Sequence, residues 1–476
     1  MGEPWKAAVG AVRYSIVEPA REHPEVLLLS LSTMLITMGQ GIVAPLLPLL
    51  VKSFGMTTTM VGIAVSAFAL ARVFSNIPAS MLTRWRGARH VLVLGALFSA
   101  VGNLMVGLVP SYEALVGFRF VAGIGSAMYI TAAVIFVAEV STPENRGRLM
   151  TIYQASFLMG LTLGPSIGGL VAEAYGLFAP FYLVAGVSLA AAAWAVAKIP
   201  SDVARASTAH VAAPGSAGAA HDRAPSVFRN PGFIAINLIA MSVFLTRGAA
   251  LFTLFPLLGA ERFALEPGQL GRLFTVPAAT NLVCQPFVGA MADRLGRKAL
   301  ITPTVGLFVA SLLLSAVSPT LWVFALALAL YGIAQAVEAP TANSYVADLS
   351  PPEQRAMAVG VYRTVADVGL VAGAPGMGAV ADLVGIPWAL TANAALLLVP
   401  GVLFVVLAVE RPRESAPPPP KEGREGLPVA LPERASVPRH PSRYLRTCTM
   451  KSKLPSRPSD SNTQMNGNSS SRKTWK

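Results

Sequence analysis

Charge is what this sequence lacks most. Of its 476 residues only 13% are Asp, Glu, Lys or Arg, against about 25% in a typical soluble domain. Hydrophobic residues make up 54% and the mean hydropathy is +0.57. Such a chain cannot dress a water-facing surface, which excludes a soluble enzyme, a nucleic-acid-binding module and a disordered scaffold. Cysteine is nearly absent. Cys284 lies in an apolar run and Cys448 in a polar tail, so neither a disulfide framework nor a metal site is indicated. His23, His90, His210, His221 and His440, the only histidines, all fall in polar segments. The string Gly164-Pro-Ser166-Ile-Gly168 fits the hydrolase pattern Gly-x-Ser-x-Gly. That chemistry needs a strand-to-helix elbow and a histidine base, and this string sits inside an apolar helix. No Gly-x-x-x-x-Gly-Lys-Ser/Thr loop is present, so ATP drive is unsupported. The chain is not read as an enzyme, and no cofactor is expected.

Long apolar runs are what it has. They fall at 26–51, 59–82, 90–109, 113–138, 149–172, 177–197, 232–257, 268–290, 299–317, 321–347, 358–381 and 387–408. Each is near the ~20 residues that cross a bilayer as a helix. An all-α membrane protein with 12 transmembrane helices is predicted. The first run is too long for a signal-peptide core and should stay as the first span. Lys and Arg concentrate in the even-numbered connections: Arg84, Arg86 and Arg89; Arg146 and Arg148; Lys198 to Arg229; Arg294, Arg297 and Lys298; Arg355. Positive loops stay cytoplasmic, so a multi-pass cell-membrane protein with both termini cytoplasmic is expected. Five segments follow: a cytoplasmic 1–25, a six-helix bundle 26–198, a flexible linker 199–231, a second bundle 232–409 and a disordered basic tail 410–476. From Arg411 onward fourteen basic residues face five acidic ones, +9 of the chain's net +13. A basic tail beside a membrane is attracted to anionic headgroups, so membrane lipids and not nucleic acid are the expected partners.

The halves repeat at a shift of 209 residues without a gap. Gly62 meets Gly271, Gly87 meets Gly296, Gly123 meets Gly332, Tyr153 meets Tyr362 and Gly176 meets Gly385. Between 123–176 and 332–385 one position in three is identical. Two pseudo-symmetric six-helix bundles suit a carrier that rocks about a midplane site; a channel or receptor does not need that symmetry.

Gly160, Gly164, Pro165, Gly168 and Gly169 stand out in span five. Glycines 160, 164 and 168 share one helix face and admit a neighbouring backbone, while Pro165 bends the helix. Plain helix packing would use the same spacing. Between spans eight and nine lies Gly289-Ala-Met-Ala-Asp293-Arg294-Leu-Gly296-Arg297-Lys298. Gly296 permits a tight turn, and Asp293 can sit against the positive end of a helix dipole, worth about 0.3–1 kcal/mol. Pseudo-symmetry assigns that end to span five, near Arg146 and Arg148. A local cap on a positive-inside turn is the plainer alternative. The first-half copy has Arg84 where the aspartate belongs, so any latch there is weak or replaced.

With these strings the chain resembles a major facilitator superfamily transporter over nearly all of residues 26–408, and within it the proton-coupled drug and multidrug antiporter branch. The resemblance implies the major facilitator fold, span five at the interface between halves, and export in exchange for protons. It also implies a cytoplasmic gate of Asp293, Gly296, Arg297, Arg146 and Arg148. Arg119-x-x-x-Gly123-x-Gly125 resembles the span-four motif whose arginine is linked to proton coupling, with Ala122 in place of the usual Gln.

Placing a charge mid-bilayer costs about 2.5–3.5 kcal/mol or more, so each such residue needs a partner or a wet cavity. The candidates are Arg72, Arg119, Arg247, Glu338, Arg363 and Asp367. Glu338 and Asp367 are read as proton carriers, with Arg363 and Arg247 as switching partners; Arg363 and Asp367, four apart, share a helix face. A static ion-pair network is the competing reading. Gln40, Asn76, Asn281, Gln285, Gln335 and Asn343 serve as interhelical bonds or cavity lining. Glu139 and Asp348 are expected to pair with Arg146 and Arg355. Four arginines against two acids favour an anionic or zwitterionic amphiphile. The expected partners are a small-molecule substrate, protons and lipid, handled by a monomer. A proton-independent facilitator, or a non-transporting receptor or lipid scramblase, are the alternatives. Asp293→Asn is expected to loosen cytoplasmic closure; unchanged labelling of cytoplasmic-side cysteines would refute that latch.

Overall fold

Caps and turn glycines divide the chain into helices at repeat-equivalent places. The computed structural model describes residues 24–108, 111–142, 145–199, 227–351 and 354–408. The N-terminal segment before Pro24, most of the linker and the basic tail expected above lie outside the described residues. So do the side chains of Asp293 and Arg294.

Six helices form the first half: α1 Pro24–Ser53, α2 Thr58–Arg86, α3 Ala88–Leu108, α4 Tyr112–Val140, α5 Arg146–Tyr175 and α6 Ala179–Lys198. The second half has α7 Pro231–Phe263, α8 Pro267–Leu295, α9 Arg297–Val317, α10 Leu321–Leu349, α11 Arg355–Val384 and α12 Ile386–Leu407. Ser111 caps α4 by accepting from Ala114 N, and Thr320, its repeat mate, caps α10 by accepting from Val323 N. Gly87, Gly176, Gly296 and Gly385 hold φ between 86° and 90° and turn one helix directly into the next. Only glycine adopts that backbone without strain.

Eleven of the helices are long and apolar enough to cross a membrane; α8, with Arg272, Asn281 and Gln285 among its residues, is not one of them. The outward surface is apolar, and large aromatics mark helix ends: Trp85, Tyr175, Trp322 and Trp388 are all exposed. That is where amphipathic rings meet a bilayer's interface. The sides are named by their connections: the odd face carries the α1–α2, α3–α4, α5–α6, α7–α8, α9–α10 and α11–α12 turns, the even face the others.

The halves meet along two seams, α2 against α11 and α5 against α8, related by the 209-residue repeat. Gly62 lies against the backbone of Ala374 and Pro375, and its mate Gly271 lies against Pro165 and Gly169. Gly378 lies on Thr58 and Gly169 on Pro267, again mates. Span five lies at the interface between halves, as expected, but most of its glycine stripe faces its own half. Gly160, Gly164 and Gly168 face α1 of their own half, at Met34, Met38, Gly41 and Ile42. Of the five singled-out residues, Gly169 and the Pro165 carbonyl meet the other half. A stripe at four-residue spacing holds one neighbour, and the neighbour is α1. Ser166, the centre of the hydrolase-like string, shares a hydrogen bond with Thr275 across the seam.

A Cβ at Gly271 would come within 2.8 Å of Gly169 Cα, whereas one at Gly306 would meet nothing. Gly271→Val should therefore lower the melting temperature in detergent by roughly 2–10 °C. Gly306→Val should leave it unchanged.

Candidate functional site

The interruption of α7 builds one wall of the site. Residues Pro231–Thr246 are α-helical, Arg247–Leu254 form a π-helical stretch, and Phe255–Phe263 resume the α-helix. Thr253 Oγ1 donates to Gly248 O at 3.0 Å within that stretch. Wide turns of this kind mark functional positions in helices. They begin here at Arg247 and carry Phe252 into a cavity between the halves.

That cavity is walled by Gln40, Ala44 and Leu47 of α1, Val65, Phe68, Ala69 and Arg72 of α2, Arg119 of α4, Phe252, and Leu370 of α11. A second pocket behind it, inside the first half, shares Gln40, Phe68 and Arg119 and adds Ser99, Asn103 and Ser126. Gln40 Nε2 donates to Ser126 Oγ at 2.7 Å, so Gln40 both lines the cavity and bridges α1 to α4.

The six ionisable candidates separate into three environments. Arg119 is 9% exposed and its guanidinium lies over the Phe68 ring, 4.5 Å from the centroid. Arg72 interacts electrostatically with Asp367 across the α2–α11 seam and with Arg247. Glu338, 3% exposed, accepts from Tyr362 Oη at 3.3 Å and faces the charge of Arg247. Arg247 Nε and Nη2 lie 2.9 and 2.5 Å from the Gln335 carboxamide, whose oxygen accepts from both in the satisfied orientation. Gln335 in turn meets Asn281 of α8 at 3.3 Å.

Arg363 acts on Asp367 as expected but is not its foremost partner. It is exposed, and the partner that acts most strongly on Asp367 is Arg72 of the other half, with Arg363 second. Of the uncharged candidates, Asn343 donates to Ala339 O of its own helix at 2.6 Å and makes no interhelical bond there.

The even-face expectations also change. Arg146 Nη2 donates to Ala138 O and Arg355 Nε to Ala347 O, both at 3.1 Å and at repeat-equivalent positions. Each arginine binds a terminal carbonyl of the preceding helix, where the helix dipole is negative, rather than Glu139 or Asp348. Asp348 pairs instead with Arg297 at 2.8 Å, within the second half. The proposed Asp293 contact lies outside the described residues.

The odd face carries a link that sequence reasoning missed. Asp382, near the end of α11, accepts from Thr58 N at 2.7 Å, Thr59 N at 2.8 Å and Thr59 Oγ1 at 2.6 Å. A carboxylate of the second half thus caps the first turn of α2 in the first half. Its repeat mate Glu173 lies over Gly268 in the first turn of α8 and 3.8 Å from Arg272. Ser66 Oγ donates to Val371 O at 2.6 Å nearer mid-depth. The signal available was an acid at the same register in both repeats, opposite a helix start.

A model of the Major Facilitator Superfamily matches residues 29–268 and 240–454. The chain belongs to this superfamily. It is thus a multi-pass membrane transporter acting on a small molecule, not an enzyme. It is 24% identical over 394 residues to an uncharacterized MFS-type transporter of Methanocaldococcus jannaschii, covering 80% of this chain and 97% of that one. Multidrug resistance protein 2 of Bacillus subtilis is 22% identical over 290 residues, 59% of this chain and 70% of that protein. Among solved structures, the nucleoside transporter NupG superposes with a TM-score of 0.67 at 16% identity, over 80% of this chain and 98% of that one. A bacterial homolog of the human lysosomal transporter Spinster, inward-facing and occupied, gives 0.68 at 14%, over 82% and 97%. These superpositions carry the superfamily fold.

Asp382→Asn keeps the shape of the odd-face cap and removes its charge. An exposed carboxylate at a helix start is worth about 0.3–1 kcal/mol. The population with the odd face parted should rise roughly two- to five-fold, read as longer distances between spin labels at the exposed repeat mates Glu113 and Trp322.

Proposed function

We propose that this transporter is a proton-coupled exporter: it sits in the cell membrane with both termini cytoplasmic and exchanges protons for a small amphiphile by alternating access. The observation that carries the reading is that Arg72 of one half and Asp367 of the other lie within each other's electrostatic reach across a seam. Arg72 rides on α2 and Asp367 on α11, so the two stay together only while that seam is closed. Parting the odd face, the external one on the positive-inside argument, withdraws the cation from the carboxylate. A carboxylate left without its cation in a membrane interior takes up a proton. Closing the seam brings Arg72 back and expels that proton toward the cytoplasm. The cycle moves protons inward as it moves substrate outward.

Glu338 supplies a second carrier inside the second half. The groups facing it are Arg247 of α7 and Tyr362 of α11, with Tyr331 on its own helix. Arg247 stands where the π stretch begins, so a local rewinding of α7 moves the cation without moving the bundle. Multidrug resistance relatives support a broad amphiphile as the cargo. The Asp382 and Glu173 contacts serve as the external gate in this scheme.

The test is flux. A panel of amphiphiles is screened in a host stripped of its own exporters, and a hit is then followed in proteoliposomes with and without a pH gradient. Wild type should show gradient-driven flux. Asp367→Asn and Glu338→Gln should each lose at least tenfold of the driven component while keeping exchange at equal pH. Flux indifferent to the gradient would leave a facilitator.

A further inference from the structure

We propose that the cavity seats the anionic head of an amphiphile on Arg119, with the apolar body against Leu47, Val65 and Phe252. The inference rests on the transport reading and names the charge of what is carried.

Arg119 is the one buried cation here whose surroundings contain no acid. Arg247 faces Glu338 and Arg72 faces Asp367, whereas among the described residues the Arg119 guanidinium lies against the Phe68 ring. Its Nε is sealed from solvent and bonded to nothing. A residue 9% exposed in a membrane interior does not hold a charge at that depth unopposed. Switching Arg119 between proton carriers, as the motif resemblance implies, would need a carboxylate within reach, and its described surroundings supply none.

The cavity wall agrees. Arg72 and Arg119 both line it, and among the described lining residues there is no carboxylate. A lipophilic cation would meet two guanidinium groups and no carboxylate on the wall itself. An anion meets a guanidinium that offers parallel donors, the arrangement that carboxylate and sulfonate oxygens match. Ser126 is placed beside it: its Oγ accepts from Gln40, which leaves its own proton available for a ligand oxygen. The rest of the wall, Ala44, Leu47, Val65, Phe252 and Leu370, has no polar side chain and suits an aryl or alkyl body.

The surplus is also on one half. At mid-depth the first half contributes Arg72 and Arg119 and no acid, whereas the second contributes Arg247 and Arg363 with Glu338 and Asp367. Two positive charges remain after the acids are counted, and a bound anion offsets part of that excess without displacing either proton carrier.

The experiment uses the full chain in neutral phosphatidylcholine nanodiscs and two probes of matched shape, 4-pentylbenzoate and 4-pentylbenzylammonium. The benzoate should bind at least tenfold tighter than the ammonium. Arg119→Gln should erase at least tenfold of that affinity and Arg119→Lys should restore part of it. The wild-type preference is read first, so a poorly folded Arg119→Gln does not decide the matter. Lysophosphatidylglycerol forms a third arm: Arg119-dependent binding of it in place of the benzoate assigns the same head site to a lipid. Equal or tighter binding of the ammonium, or benzoate affinity within twofold in a folded Arg119→Gln, overturns the site. Anion binding without gradient-driven flux would keep this site and remove the coupling. Gradient-driven flux of the ammonium without anion binding would do the opposite.

Discussion

An ionised side chain inside a bilayer is held only by what faces it, and in this protein one such facing pair spans a boundary that must open. Arg72 and Asp367 sit on opposite halves. The seam that brings them together is made of glycines and backbone, at Gly62 with Ala374 and at Gly378 with Thr58. In lipid there is no hydrophobic force to press helices together, so close approach through small residues and a few polar contacts supplies the attraction. Such a seam is weak in total. A single charge pair at its inner end and a carboxylate cap at its outer end are then large enough to bias which face is open.

The second carboxylate is managed differently. Glu338 does not cross between halves; it is held by Tyr362 and by the field of Arg247. What can move is α7, whose π stretch begins at Arg247 and ends beside a regular helix at Phe255. Gln335 and Asn281 tie that arginine to α10 and α8. The network therefore couples a local change of helix winding to three neighbouring helices. Broken helices at mid-depth are how carriers place polar groups in a membrane while keeping the backbone satisfied.

Much of the scaffold was legible because periodic features write it. Apolar length set the spans, Gly87, Gly176, Gly296 and Gly385 set the turns, and the 209-residue shift set the halves. What was not legible depended on side-chain direction. Arg363 and Asp367 share a face at four residues, yet Arg72 of the other half acts on Asp367 more strongly than Arg363 does. The glycine stripe of α5 announced a close helix without saying which, and α1 was the answer. Asp382 was passed over because an acid near a helix end reads as ordinary surface until the first turn of α2 is seen against it. The π stretch leaves no mark in composition at all.

The repeat itself separates scaffold from chemistry. Carried through the same shift, the seam glycines map onto glycines, and Glu173 maps onto Asp382. The mid-membrane charges do not. Arg72 maps onto Asn281, Arg119 onto Leu328, Tyr129 onto Glu338 and Leu158 onto Asp367. Two bundles with the same charges at the same depth would hold substrate and proton equally well from either side, and a rocking cycle would gain no direction from them. In the proposed cycle, placing Arg72 and Arg119 in one half and the carboxylates in the other separates the two cargoes while keeping them within each other's field. Arg72 lines the cavity and also answers Asp367, so in that cycle it is the residue through which occupancy of one would be felt by the other.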